Sequence, residues 1–252
     1  MQIKKRVAEF AEQLGYHIIP KWRMRELALA RHLEKLFRHY RVDALIDVGA
    51  NRGQYRDFLR MEVGYTGPIL SYEPLPGCYD VLLRRSREEA LWAVRNVALG
   101  ADPGELTLNV MAGDSCSSFL QPDRTHVSGF ERWNNVRETV IVPVTTLDAE
   151  LASSQENGLH ESRIYLKLDT QGFDLNVLRG ARDSLARVVA VQSELSVKPI
   201  YEQMPDYREV IDYLVAAGFE LSGMFPVNLD ANLAVVELDG IFINRRFTQP
   251  LQ

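Results

Sequence analysis

A doubly wound α/β fold around a mostly parallel sheet of seven strands is what this sequence predicts, and three observations predict it. From Asp43 onward, short apolar runs alternate with amphipathic helical stretches, the pattern of a parallel sheet assembled from βαβ units. The first run, Ala44 to Val48, passes directly into a glycine-containing loop, Gly49-Ala50-Asn51-Arg52-Gly53. The second run ends on an acid, Glu73. A strand, a glycine turn and a second strand-terminal acid are the parts of a ligand crevice at the carboxyl edge of an open α/β sheet.

Two helical segments precede Asp43, the second from Arg23 to Tyr40 with Leu29, Leu33, Leu36, Phe37 and Tyr40 at helical spacing. Their basic residues, Lys4, Lys5, Arg6, Lys21 and Arg31 among them, read as the solvated face of amphipathic helices rather than a surface for an anionic partner. Strands are expected near Ala44–Val48, Ile69–Glu73, Trp92–Val97, Ile164–Asp169, Val188–Glu194, Phe219–Met224 and Gly240–Asn244. Helices are expected near Gln54–Met61, Gly77–Arg84, Asp174–Leu185 and Tyr207–Ala217. Between Gly104 and Leu147 the rhythm breaks. Glu105–Val110 and Thr139–Val144 have strand character around a polar stretch holding Phe130 and Trp133, which reads as a two-stranded insertion with a long connecting loop. Residues 1–41 are therefore expected to form an N-terminal helical segment, and 42–252 one domain carrying a β insertion over 104–147.

Composition excludes several classes. An apolar fraction of 46% and a charged fraction of 25% are those of a globular chain. No stretch approaches the ~20 apolar residues of a membrane span, and Glu9, Glu12 and Gln13 interrupt what would be the apolar core of a signal peptide. The two cysteines, Cys78 and Cys116, lack metal-site spacing, and a reducing cytoplasm fits them. A net charge of −5 argues against nucleic acid as the main partner. The sequence carries no sign of oligomeric state.

At the first turn, Gly49 and Gly53 let backbone approach a ligand closely, and the N–H groups near Gln54 and Tyr55 can face a carboxylate. The spacing is G-x-x-x-G, with Asp47 before it, rather than the G-x-G-x-x-G of dehydrogenases. That departure favours S-adenosylmethionine over a nicotinamide dinucleotide. Glu73, closing the second strand, can accept both ribose hydroxyls. The third strand's end places Asn96 and Ala98 beside the adenine. Asp47, Gly49, Asn51, Gly53, Tyr55, Glu73, Asn96 and Ala98 are thus the expected cofactor residues.

These residues resemble the FkbM family of methyltransferases, through Ile46-Asp47-Val48-Gly49-Ala50-Asn51-Arg52-Gly53, Tyr72-Glu73-Pro74, Asn96-Val97-Ala98-Leu99-Gly100, Thr145-Thr146-Leu147-Asp148 and Leu166 to Ala181. The resemblance implies a Rossmann-like class I methyltransferase that moves a methyl group to a hydroxyl, typically of a sugar, glycolipid or polyketide-type metabolite. Members commonly carry an acid where Gln171 stands.

Methylating an alcohol needs a positioned oxygen and an acceptor for its proton. Asp169 and Glu194, expected to close the fourth and fifth strands, are the candidates: either is the base, or the two share a divalent ion such as magnesium. Asp174 reads as a helix N-cap. His126 could act as the base, Ser117 and Ser118 could touch cofactor or substrate, and Tyr201, Met204 and Tyr207 could line the acceptor pocket, though each suits a plain loop or packing position. The acceptor is expected to be a small molecule or glycan. Two rival readings are a nucleic-acid ribose methyltransferase, since Lys167, Asp169 and Glu194 resemble its charged constellation, and a non-catalytic cofactor-binding module. Removing Glu73 is expected to spare folding, because a strand-terminal acid facing a cleft adds little to a core.

Overall fold

A computed structural model describes residues 24–123, 135–153 and 162–248. The first N-terminal helical segment, His126, Phe130 and Trp133 lie outside the described residues. Helix α1 (Met24–Tyr40) leads into the alternating strands and helices β1 (Ala44–Val48), α2 (Gln54–Phe58), β2 (Ile69–Tyr72), α3 (Pro76–Ser86) and β3 (Trp92–Arg95). After β4 (Ala98–Leu99), β5 (Gly104–Met111) and β6 (Val136–Thr145) come α4 (Leu147–Ser153), β7 (Ile164–Leu168), α5 (Asp174–Arg179), β8 (Val188–Ser196), α6 (Tyr207–Ala216), β9 (Phe219–Leu229) and β10 (Val235–Asn244).

The main sheet has seven strands in the order β3-β2-β1-β7-β8-β10-β9. The first five run parallel, and β10 and β9 are antiparallel. Its central strands are buried on both faces, which is why they read as unbroken apolar runs. Alternate residues serve opposite cores. Ala44, Ile46, Val48, Leu166 and Leu168 pack with Leu147, Leu175, Leu178 and Leu214 from α4, α5 and α6. Leu45, Tyr165 and Ala190 pack on the other side with Leu29, Leu33 and Phe37 of α1 and Leu82 of α3. On that second side Asp47 and Lys167 stand opposite each other in register.

Several boundaries differ from expectation, each for a local reason. The run Trp92–Val97 is not one strand. β3 stops at Arg95, the Asn96 amide donates to the Glu73 and Pro74 carbonyls, and Ala98–Leu99 joins β6 in a second, three-stranded sheet with β5. Strand β8 does not end at Glu194 but continues to Ser196, because β10 pairs along it with Asp239 opposite Glu194. Helix α5 ends at Arg179 instead of Leu185, where Gly180 sits so close to the chain that a Cβ would lie 2.0 Å from the Gly100 carbonyl oxygen. Asp148 then accepts the Ser184 N–H and hydroxyl and closes the turn. Helix α4 was not anticipated at all. Helix α6 is held by a capping box between Asp206 and Glu209.

Candidate active site

The turn after β1 is built by backbone conformations that favour glycine. Gly49 has φ +80°, and a Cβ there would lie 2.0 Å from the Asp169 carbonyl oxygen, so the β1 and β7 turns are in backbone contact at the point where strand order reverses. Asn51, at φ +48°, sends its N–H to Glu73 Oε2 at 2.7 Å, and the Leu75 N–H reaches Glu73 Oε1 at 2.8 Å. Glu73 is therefore clamped between two loops. Burial pushes its pKa up to about 7, against the two N–H bonds that favour the carboxylate.

Beneath the turn, Lys167 Nζ stands 3.0 Å from Asp47 Oδ1, 3.4 Å from Asp169 Oδ2 and 5.0 Å from the Tyr55 ring centroid. Burial works against the ammonium, yet Asp47 and Asp169 hold its pKa above the ordinary lysine value. The Tyr55 and Tyr165 hydroxyls both donate to Gln192 Oε1, at 2.5 and 2.8 Å, and Gln192 Nε2 donates to Asp239 Oδ1 at 2.8 Å. Every hydrogen-bonding atom of that buried amide is directed, which fixes its orientation.

Above these groups lies a cavity of about 480 Å3 bordered by the β1 turn, Glu73, the Val97–Leu99 segment, Asp169 to Gln171, Glu194 and the Phe225–Asn228 part of β9. Of the expected residues, Gly49, Asn51, Tyr55, Glu73, Ala98, Asp169 and Glu194 line it. Three do not. Asp47 is wholly buried against Lys167. Gly53 faces Arg85 and Trp92, where its missing Cβ makes room for the indole. Asn96 is spent on the Glu73–Pro74 backbone. The Tyr55 side chain faces Gln192 and Lys167.

Asp174 is not an N-cap, since Phe173 holds that place and makes no side-chain cap. Its Oδ1 accepts the Thr170 N–H and hydroxyl, and Oδ2 accepts the Ser193 hydroxyl and the Glu194 N–H. One buried carboxylate thus fastens the β7 turn to β8 and fixes the spacing of Asp169 and Glu194. Gln171 Nε2 lies between those two, 2.9 Å from Asp169 Oδ1 and 3.0 Å from Glu194 Oε2. Burial, with Glu237, Asp169 and Asp239 close by, pushes the Glu194 pKa well above the usual range. Burial also raises Glu237 to about 7 and Asp239 to about 6. Ser118 and Tyr201 reach the site through Gln171, whereas Ser117 lines the cavity directly.

Sequence reasoning missed Gln192, Asn228, Glu237 and Asp239, as well as Glu26 and Leu29 of α1 at the cavity wall. One signal was present: Val235-Val236-Glu237-Leu238-Asp239-Gly240-Ile241 sets two acids at alternate positions of an apolar strand, which puts both on one face.

The sequence matches the family model described as the Methyltransferase FkbM domain over residues 47–221, most of the chain. The chain belongs to the FkbM methyltransferase family. That match spans every cavity segment named above except α1 and the β9–β10 residues beyond 221. Among characterised proteins, this FkbM chain is 26% identical over 197 residues to the 2-O-methyltransferase NoeI of Sinorhizobium fredii, covering 75% of this chain and 77% of that one. Among solved structures, it is similar to methyltransferase FkbM of Methylobacillus flagellatus, with TM-score 0.49, 15% identity and 79% of this chain covered. The match spans 43% of the length of that solved chain. Among the described residues, no helix is long and apolar enough to cross a membrane.

Proposed function

We propose that this FkbM chain binds S-adenosylmethionine in the cavity and transfers its methyl group to a hydroxyl of a small molecule or glycan, in the class of sugars, glycolipids and polyketide-type metabolites. The observation that carries this reading is the backbone contact between Gly49 and Asp169, which sets an acid directly beside the cofactor turn. The NoeI relative, a 2-O-methyltransferase, supports oxygen as the acceptor atom.

In this reading Glu73, anchored by the Asn51 and Leu75 N–H groups, offers its remaining lone pairs to ribose hydroxyls. Ala98 and Leu99 form the wall beside the adenine. The cofactor supplies an electrophilic methyl group. Asp169 accepts the hydroxyl proton as the new carbon–oxygen bond forms, with its other oxygen kept toward Lys167. Magnesium does not fit between Asp169 and Glu194, because the Gln171 amide occupies the space between their oxygens. Among the described residues, no three His, Cys, Asp or Glu side chains are arranged to hold a metal.

Calorimetry with S-adenosylmethionine, S-adenosylhomocysteine and NAD is the first test. The expected result is affinity for the first two alone, and binding of NAD without the methyl donor would overturn the reading. Labelled methyl transfer into a cell extract, read by mass spectrometry, then identifies the acceptor. A chain that binds the methyl donor yet labels nothing in any extract would be a binding module instead.

A further inference from the structure

We propose that Gln171 is a positioning residue whose side-chain amide stands in for a cation between Asp169 and Glu194, so that the carboxylate pair operates without a divalent ion. The inference rests on the reading above, in which Asp169 serves the acceptor hydroxyl. Two carboxylates at one site repel each other, and a shared proton, a metal ion or a hydrogen-bond donor relieves the repulsion. Here the donor is present. The two hydrogens of Gln171 Nε2 go one to each acid, at 2.9 Å to Asp169 Oδ1 and 3.0 Å to Glu194 Oε2.

The amide is held in that orientation from its far side. The Tyr201 hydroxyl, on a fully buried ring, has its one hydrogen between two acceptors, Gln171 Oε1 at 2.8 Å and the Cys116 carbonyl oxygen at 2.7 Å. Turning the amide over would set its carbonyl oxygen against both carboxylates. The backbone is fixed as well: Gln171 sits at φ +52°, and its carbonyl accepts the Ser118 hydroxyl at 2.6 Å. A flexible surface glutamine would need none of these supports. Burial, with Glu237 and Asp239 close by, holds Glu194 toward its protonated form, and the neutral amide bridge leaves Asp169 as the proton acceptor of the pair without taking up an ion.

Gln171→Glu tests this, because it keeps the size and replaces the donor with a third carboxylate. Calorimetric titration with Mn2+ is expected to show no binding to the wild-type site and uptake of about one ion per chain by the variant. In metal-free buffer, potentiometric titration of the variant is expected to show one extra proton held near neutral pH. The rate of labelled methyl transfer into extract should fall at least about tenfold at pH 7, with its acid limb moved to higher pH. Affinity for S-adenosylmethionine should stay within about twofold.

Wild-type protein that binds one Mn2+, with binding lost in Asp169→Asn, would overturn the proposal. So would a Gln171→Glu variant that gains neither ion nor proton and keeps the wild-type pH profile. If that variant fails to fold, Tyr201→Phe keeps the packing while freeing the amide. Its acid limb should move in the same direction by a smaller amount, and an unmoved profile counts against the positioning role. A wild-type chain without affinity for S-adenosylmethionine would sink the functional reading while leaving the ion and proton results intact.

Discussion

Glu73→Gln is the substitution whose consequences the structure defines most fully. The carboxylate accepts the Asn51 N–H at 2.7 Å and the Leu75 N–H at 2.8 Å. An amide has one oxygen, so one of these N–H groups meets an NH2 instead, at a cost of about 1–3 kcal/mol for a buried unsatisfied donor. The chain is still expected to fold at that cost, with a lowered unfolding midpoint. Hydrogen bonds to a charged group contribute about 1.5–3 kcal/mol, so losing the ribose contacts should weaken S-adenosylmethionine roughly 10- to 150-fold. The pH dependence is independent of that figure. With its pKa raised from 4.5 to about 7, Glu73 favours the ligand-free fold below pH 4.5, and that contribution is lost as pH rises through 7. Cofactor binding that needs the ionised form follows the opposite course. It should strengthen about tenfold between pH 6 and pH 8, as the ionised fraction rises from about one-eleventh to ten-elevenths. Calorimetry at a series of pH values, on wild type and Glu73→Gln, checks both. A wild-type affinity that is flat across this range, or a variant that retains the slope, refutes the assignment of Glu73 to the ribose.

Three further outcomes are expected. Asp169→Asn should lower methyl transfer about a hundredfold to ten-thousandfold with cofactor affinity nearly unchanged; collapsed binding with normal residual turnover at saturating cofactor would move Asp169 to the cofactor's own contacts. Lys167→Met strands the buried Asp47 carboxylate and should reduce stability by about 3–5 kcal/mol in urea unfolding, and a midpoint like wild type's would show that Asp47 has no need of the ammonium. Gly49→Ala combines a left-handed φ with a Cβ placed against the Asp169 carbonyl and should cost about 2–5 kcal/mol, together with weaker cofactor binding; an undisturbed variant would mean the two turns can separate freely.

The parallel half of the sheet was legible because its strands are apolar on both faces, as in Ala44–Val48 and Ile164–Leu168, and because Gly49 and Glu73 mark strand ends. What escaped depends on partners remote in the chain. Nothing local to Glu194 announces that β8 continues, since the extension is imposed by Asp239 and Glu237 some forty residues on. Gly53 looked like a ligand glycine, yet the side chains that demand it, Trp92 and Arg85, belong to β3 and α3. Asp174 has the sequence position of an N-cap, but the hydroxyls of Thr170 and Ser193 compete successfully for its oxygens. Gln171 could be singled out as an unusual residue type, whereas its bridging role required knowing that two turns and Tyr201 converge on it.

The antiparallel pair β9 and β10 has a consequence for how such a chain can diversify. Phe225, Asn228 and Asp239 reach the cavity from a hairpin that closes through Asp230 to Ala234, outside the β1–β2–β7 framework that positions Glu73 and Asp169. Lengthening a flexible hairpin tip costs only about 0.6 kcal/mol for each doubling of its length. A lineage can therefore alter the hairpin side of the cavity by editing one hairpin, while the β1–β2–β7 side that positions Glu73 and Asp169 inherits its geometry unchanged.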